Sequence, residues 1–103
     1  MAITCEKVVE NFISGLQEGD NGSVSSTKTV RIKGNQLIHY STPIIERTGN
    51  SFILNISRYS LATGQLQKRI KTMLPEGYQT VKRVPQDYPG SLVDYLESSY
   101  SNE

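Results

Sequence analysis

Two glycine–asparagine pairs, Gly34-Asn35 and Gly49-Asn50, constrain the fold of this chain more than any other feature. Both residue types tolerate positive φ, which a two-residue hairpin turn demands. Each pair stands between runs patterned as strands. Thr27–Lys33 alternates, with Val30 and Ile32 towards one face and Thr29, Arg31 and Lys33 towards the other. Gln36–Arg47 reads as one long strand interrupted by Pro43, which cannot donate to a ladder and so predicts a sheet edge or a bend. Ser51–Ser57 returns with Phe52, Leu54 and Ile56 on a single face. The expectation is an antiparallel β-meander of three strands, with Tyr78–Val84 as a short fourth.

Helical spacing brackets the meander. Residues 5–17 predict an N-terminal helix, capped by Thr4, with Glu6 in the first turn and Val8, Val9, Phe12, Ile13 and Leu16 along one face. Gly19-Asp20-Asn21-Gly22 stops it, and a Ser/Thr-rich loop follows. A central helix is expected from Gly64 to Leu74, with Thr63 as N-cap, a buried stripe of Leu66, Ile70, Met73 and Leu74, and Gln67, Lys68, Lys71 and Thr72 opposite. Pro75-Glu76-Gly77 ends it. Beyond Pro85 and Pro89, Gly90–Tyr100 predicts a C-terminal helix with Leu92, Val93, Leu96 and Tyr100 facing inward. The fold class is therefore α+β: a three- to four-stranded antiparallel meander packed with an N-terminal, a central and a C-terminal helix. At 103 residues, one hydrophobic core and a single domain over 1–103 are expected.

No apolar run approaches the roughly 18 residues of a membrane span, and the N-terminus lacks the basic and apolar segments of a secretory signal. One cysteine cannot form an internal disulfide, so a reducing, cytoplasmic location and no membrane partner are expected. Charge is nearly balanced overall but unevenly placed. Residues 1–20 and 86–103 hold Glu6, Glu10, Glu18, Asp20, Asp87, Asp94, Glu97 and Glu103 against Lys7 alone. Residues 21–85 hold the other ten basic residues against Glu46 and Glu76. A basic middle between acidic ends signals either an anion-facing surface or ends that pack on the middle.

Few side chains suggest reaction chemistry. Cys5 and His39 are the one nucleophile–base pair to weigh: a thiol in a helix's first turn can be activated by the dipole. The plainer reading makes Cys5 a small packing residue and His39 a sheet-face residue. A lone Cys–His pair falls short of a structural zinc set, and no phosphate-cradling glycine loop, nucleophile elbow or HExxH motif occurs. No enzyme activity, metal or cofactor is expected. Nucleic acid has better raw material in Lys68, Arg69, Lys71, Lys82 and Arg83, aided by Arg31, Lys33, Arg47 and Arg58, with Gln65 and Gln67 able to read adenine edges. The pI of about 7.8, however, falls short of a dedicated nucleic-acid module. Six tyrosines and no tryptophan give a third lead. Tyr78, Tyr88, Tyr95 and Tyr100 gather in the last quarter with Asp87, Asp94 and Glu97, a composition suited to docking on a basic protein surface.

Residues 34–47, GNQLIHYSTPIIER, and 53–70, ILNISRYSLATGQLQKRI, resemble a family of small bacteriophage-encoded domains of unknown function. Asn55, Arg58, Tyr59, Ser60 and Thr63 carry the most specific motif, and the likeness spans about residues 28–74. Gln65-Leu66-Gln67 stands where the family has Lys-His-Gln. Read physically, Tyr59 covers the end of the sheet, while Ser60 or Thr63 accepts from free N–H groups at the helix start. The resemblance implies a phage or prophage accessory protein, a category that includes anti-CRISPR and other anti-defence inhibitors. The resulting expectation is a protein that binds and inhibits or modulates a host complex through Asp87, Tyr88, Asp94, Tyr95 and Glu97. A small nucleic-acid-binding regulator is the alternative, and the chain is expected to be a monomer or a homodimer.

Overall fold

The computed structural model describes residues 3–49 and 51–96. The chain runs α1 (Cys5–Ile13), β1 (Val30–Lys33), β2 (Gln36–His39), β3 (Thr42–Thr48), β4 (Ser51–Asn55), α2 (Leu61–Met73) and β5 (Gln79–Val81), and a 3-10 turn follows over Leu92–Tyr95. The five strands form one sheet in chain order. β1 to β4 are the antiparallel meander; β5 pairs parallel to β4. The sheet is thus mixed rather than wholly antiparallel. A parallel neighbour needs a crossover, and α2 supplies it.

The long second strand is in fact two. Tyr40 adopts φ 61 and turns the chain, so His39 and Thr42 face each other across a two-residue link. Of the two expectations for Pro43, the edge is wrong and the bend is met by the turn just before it and a register slip beside it. Pro43 lies in β3, the middle strand, opposite Ile38, where the register slips between Leu37 and Ile38. A bulge is the position at which an interior strand tolerates a missing donor. β3 is paired on both sides, so no free sheet edge lies at Pro43.

Thr4 caps α1 by accepting from the Lys7 N–H at 3.0 Å. The helix ends at Ile13, four residues early, because Gly15 turns the chain with φ 105. Arg47 of β3 then reaches that end: its guanidinium lies over the Phe12 and Phe52 rings at 5.1 and 4.9 Å and donates to the Phe12 carbonyl. A cation placed there complements the negative end of the helix dipole. α2 begins three residues before the expected start. Its N-cap is Ser60, and Thr63 sits inside the first turn, donating its N–H to Ser60 Oγ.

One face of the sheet is covered by the two helices and the other in part by the C-terminal segment. On one, α1 and α2 pack Val8, Val9, Phe12, Leu66, Ile70 and Leu74 against Val30, Ile32, Leu37, Ile44, Ile45, Phe52 and Leu54. Fully burying each such side chain contributes roughly 1.5–3 kcal/mol. On the other, Ile53, Val81, Val84 and Leu92 form a smaller cluster with Tyr88, Tyr95 and Leu96. The expected C-terminal helix is reduced to the 3-10 turn among the described residues; Val93 is exposed, and Glu97 and Tyr100 lie outside them. No helix of the described residues is long and apolar enough to cross a membrane.

Candidate functional site

The family-like motif turns out to be a polar joint. Asn55 is fully buried at the end of β4; its Nδ2 donates to the Pro43 carbonyl and to Tyr59 Oη, both at 2.9 Å, and its Oδ1 accepts the Ser57 N–H. Tyr59 passes the chain on, donating to the Val84 carbonyl at 2.6 Å. Gln67, expected on the solvent face of α2, is buried instead, and its amide donates to the carbonyls of Asn55 and Ser57 at 2.7 and 3.0 Å. Buried carbonyls at and just beyond the end of β4 need donors, and this glutamine provides one to each. Ser60 and Thr63 make the cap, while Arg58 is exposed.

The C-terminal segment brings three of the expected partner-binding residues, Tyr88, Asp94 and Tyr95, into contact. Tyr88 Oη donates to Asp94 Oδ2 at 2.6 Å, and the Tyr88 and Tyr95 rings meet edge-on at 5.1 Å. The hydrogen bond to the Asp94 carboxylate pushes the Tyr88 phenol up to about 12. Asp87 is held beside them in a left-handed conformation, φ 62, by its N–H donating to Thr42 Oγ1 at 2.9 Å. Glu97 lies outside the described residues.

Glu46 anchors this patch, and the sequence reading gave it no role. It is buried in β3, and its carboxylate accepts from Gln36 Nε2 (2.9 Å), Ser91 Oγ (2.6 Å) and the Leu92 N–H (2.7 Å). Gln36 also donates to the Gly90 carbonyl. One acid embedded between Ile45 and Arg47, in a segment otherwise rich in cations, was the available signal.

The basic residues are divided. Lys68 and Arg69 line a shallow depression on α2 with Gln65 and Thr72, which Lys71, Lys82 and Arg83 do not join. Arg69 is paired with Glu6 at 3.2 Å, an acidic end packing on the basic middle. Arg47 is engaged at the end of α1. Arg31 and Lys33 instead wall a groove of about 640 Å³ on the open half of the second sheet face, with Tyr40, Asp87 and Tyr88 on its rim.

Cys5 and His39 share a cleft of about 470 Å³ between α1, α2 and the sheet. His39 Nδ1 lies 3.0 Å from Thr63 Oγ1, and burial lowers its pKa from the ordinary 6.5. Cys5 Sγ lies 3.6 Å from Thr29 Oγ1. Both side chains thus have hydroxyl partners from the surrounding framework.

No protein-family model, curated protein or solved structure matches the chain.

Proposed function

We propose that this chain is a non-catalytic binding protein of the phage accessory kind, which docks on a basic surface of a host protein complex and inhibits or modulates it. The supporting observation is the cluster of Tyr88, Asp94 and Tyr95, held by one hydroxyl–carboxylate bond and one edge-on ring pair, with Asp87 next to Tyr88 in the chain and tied to Thr42. Val93, nearly half exposed, adds an apolar centre. Pre-arranged aromatic rings with acids beside them give large contact area at low ordering cost, and their charge selects a cationic partner. An anti-CRISPR-like target, a nucleic-acid-handling defence complex, fits that chemistry because such complexes carry basic grooves for their own ligands. The nucleic-acid reading has less support, since Arg69 is occupied by Glu6 and the remaining cations divide among separate surfaces.

The test is capture of host proteins on the tagged chain, with nuclease added, followed by titration of the recovered protein. Val93→Lys combined with Asp94→Lys, both at exposed positions, is expected to weaken that complex by at least about tenfold. Unchanged affinity of the folded double variant removes the patch from the interface. Binding that disappears with nuclease returns the nucleic-acid reading.

A further inference from the structure

We infer that the cleft beside the start of α2 is a second docking groove, one that takes an acidic peptide segment carrying a large apolar side chain. The cleft has a volume of about 650 Å³ and lies between the β4–α2 link, residues 56–60, and the first turns of the helix. It shares no residue with the acidic patch.

Three features define the occupant. First, the charged residues lining the cleft are Arg58 and Lys68, both cations, and neither has a carboxylate partner among the described residues. α2 itself contains no acid at all, so nothing on the helix neutralises them. Second, Leu61 stands 80% exposed on the rim, with Ile56 and Tyr59 also lining the cleft. A phosphate backbone gains nothing from a leucine, whereas a peptide side chain buries area against it, worth roughly 25 cal/mol per Å². Third, Gly64 sits inside the helix, where glycine is roughly 0.5–1 kcal/mol less favourable than alanine. No positive φ requires it, and a Cβ there would meet nothing within 4 Å. The missing side chain leaves the wall of the cleft open.

Two of the residues lining the cleft are cross-tied. Tyr59 is fixed between Asn55 and Val84, and Gln67 ties the carbonyls of Asn55 and Ser57 to the helix. A groove whose lining is already ordered loses little entropy on binding, which suits recognition of a short segment.

Displayed random short peptides selected on the intact protein, with counter-selection on Gly64→Leu, provide the probe. The recovered consensus, synthesised with a fluorescent label, is titrated by anisotropy into wild type, Gly64→Leu and Lys68→Glu. A single-stranded oligodeoxynucleotide is titrated in parallel. The expected consensus combines aspartate or glutamate with one large apolar residue. Its affinity falls at least about tenfold in each variant, while Gly64→Leu, the better helix former, melts no lower than wild type. The Val93→Lys, Asp94→Lys double variant keeps peptide affinity, so failure here and failure of the acidic patch read separately. A consensus without acidic residues, affinity indifferent to Gly64→Leu, or an oligonucleotide that displaces the peptide through Lys68 each overturns the inference.

Discussion

Replacing Glu46 by leucine tests how the C-terminal layer is held on the sheet. The two side chains are similar in size, so the change deletes a carboxylate without opening a large void. Three donors lose their acceptor, and their exposure sets the magnitude. The Leu92 N–H is buried and has no substitute; leaving it unpaired costs about 1–3 kcal/mol. Gln36 keeps its bond to the Gly90 carbonyl, and the half-buried Ser91 hydroxyl can turn to water, so each of these loses roughly 0.5–1 kcal/mol. Against this, the protein no longer desolvates a charge, and such a swap can stabilise when a buried ion was poorly compensated. Three short bonds to one carboxylate argue that compensation is good here, and the expected net loss is about 2–3 kcal/mol. With a urea slope of roughly 1–2 kcal/mol per M for a domain of this size, the midpoint shifts down by about 1–3 M. Urea unfolding followed by circular dichroism reads the shift. Tyrosine fluorescence in parallel shows whether the Tyr88–Tyr95 layer leaves first. An equal or higher midpoint for Glu46→Leu refutes the reasoning, because the carboxylate would then be a burden that the donors merely tolerate.

Gln67→Leu is expected to destabilise by about 2–4 kcal/mol, since two buried carbonyls lose their donor; a melting point within 2 °C or so of wild type, far inside the shift such a loss implies, sinks that assignment. Stability should fall as pH drops below 6.5. His39 has a lowered folded pKa, so the unfolded chain takes up a proton first and gains on the folded one between the two values. His39→Gln should flatten that limb, and an unchanged slope in chemical unfolding at pH 5 to 7 points to another group. In an ultraviolet titration one phenol should ionise near 12, and Asp94→Asn should bring it back towards 10; no displaced phenol in wild type dismisses the Tyr88–Asp94 bond. Arg47→Met, which keeps apolar contact with the two phenylalanine rings, should cost about 1 kcal/mol through the uncapped end of α1, read from the denaturation midpoint.

The parts legible in the sequence are those that local chemistry decides. Thr4 starts α1, Gly34-Asn35 makes its hairpin, and the alternation of Val30 and Ile32 with Arg31 and Lys33 places β1, whereas the early end of α1 at Gly15 was not anticipated. What escaped was set by groups distant in sequence. Tyr40 makes a turn although tyrosine carries no turn signal, because the Thr29 carbonyl takes its N–H at 2.7 Å. Gln67 has the periodicity of a surface residue and is drawn in by two strand-end carbonyls. Polarity predicts exposure there, whereas a polar side chain follows whichever unpaired group the fold leaves inside. The acidic tyrosine patch was legible as composition, but the Glu46 anchor that presents it was not, since its donors lie ten and some forty-five residues away.

The two margins of the sheet bear on behaviour at high concentration. Along β1, Ser23 and Ser25 already occupy the outer ladder: Ile32 donates to the Ser23 carbonyl and Ser25 donates to that of Val30. At the opposite margin β5 offers three residues and is followed by Lys82 and Arg83. A neighbour seeking to extend the sheet finds one side plugged by the chain's own backbone, and the other too short and too positively charged to template a strand. Fibrillar association through these edges is therefore disfavoured in the native state. Resistance to it rests on the Ser23–Ser25 segment staying in place, so loosening that loop would uncover an unpaired strand margin along β1.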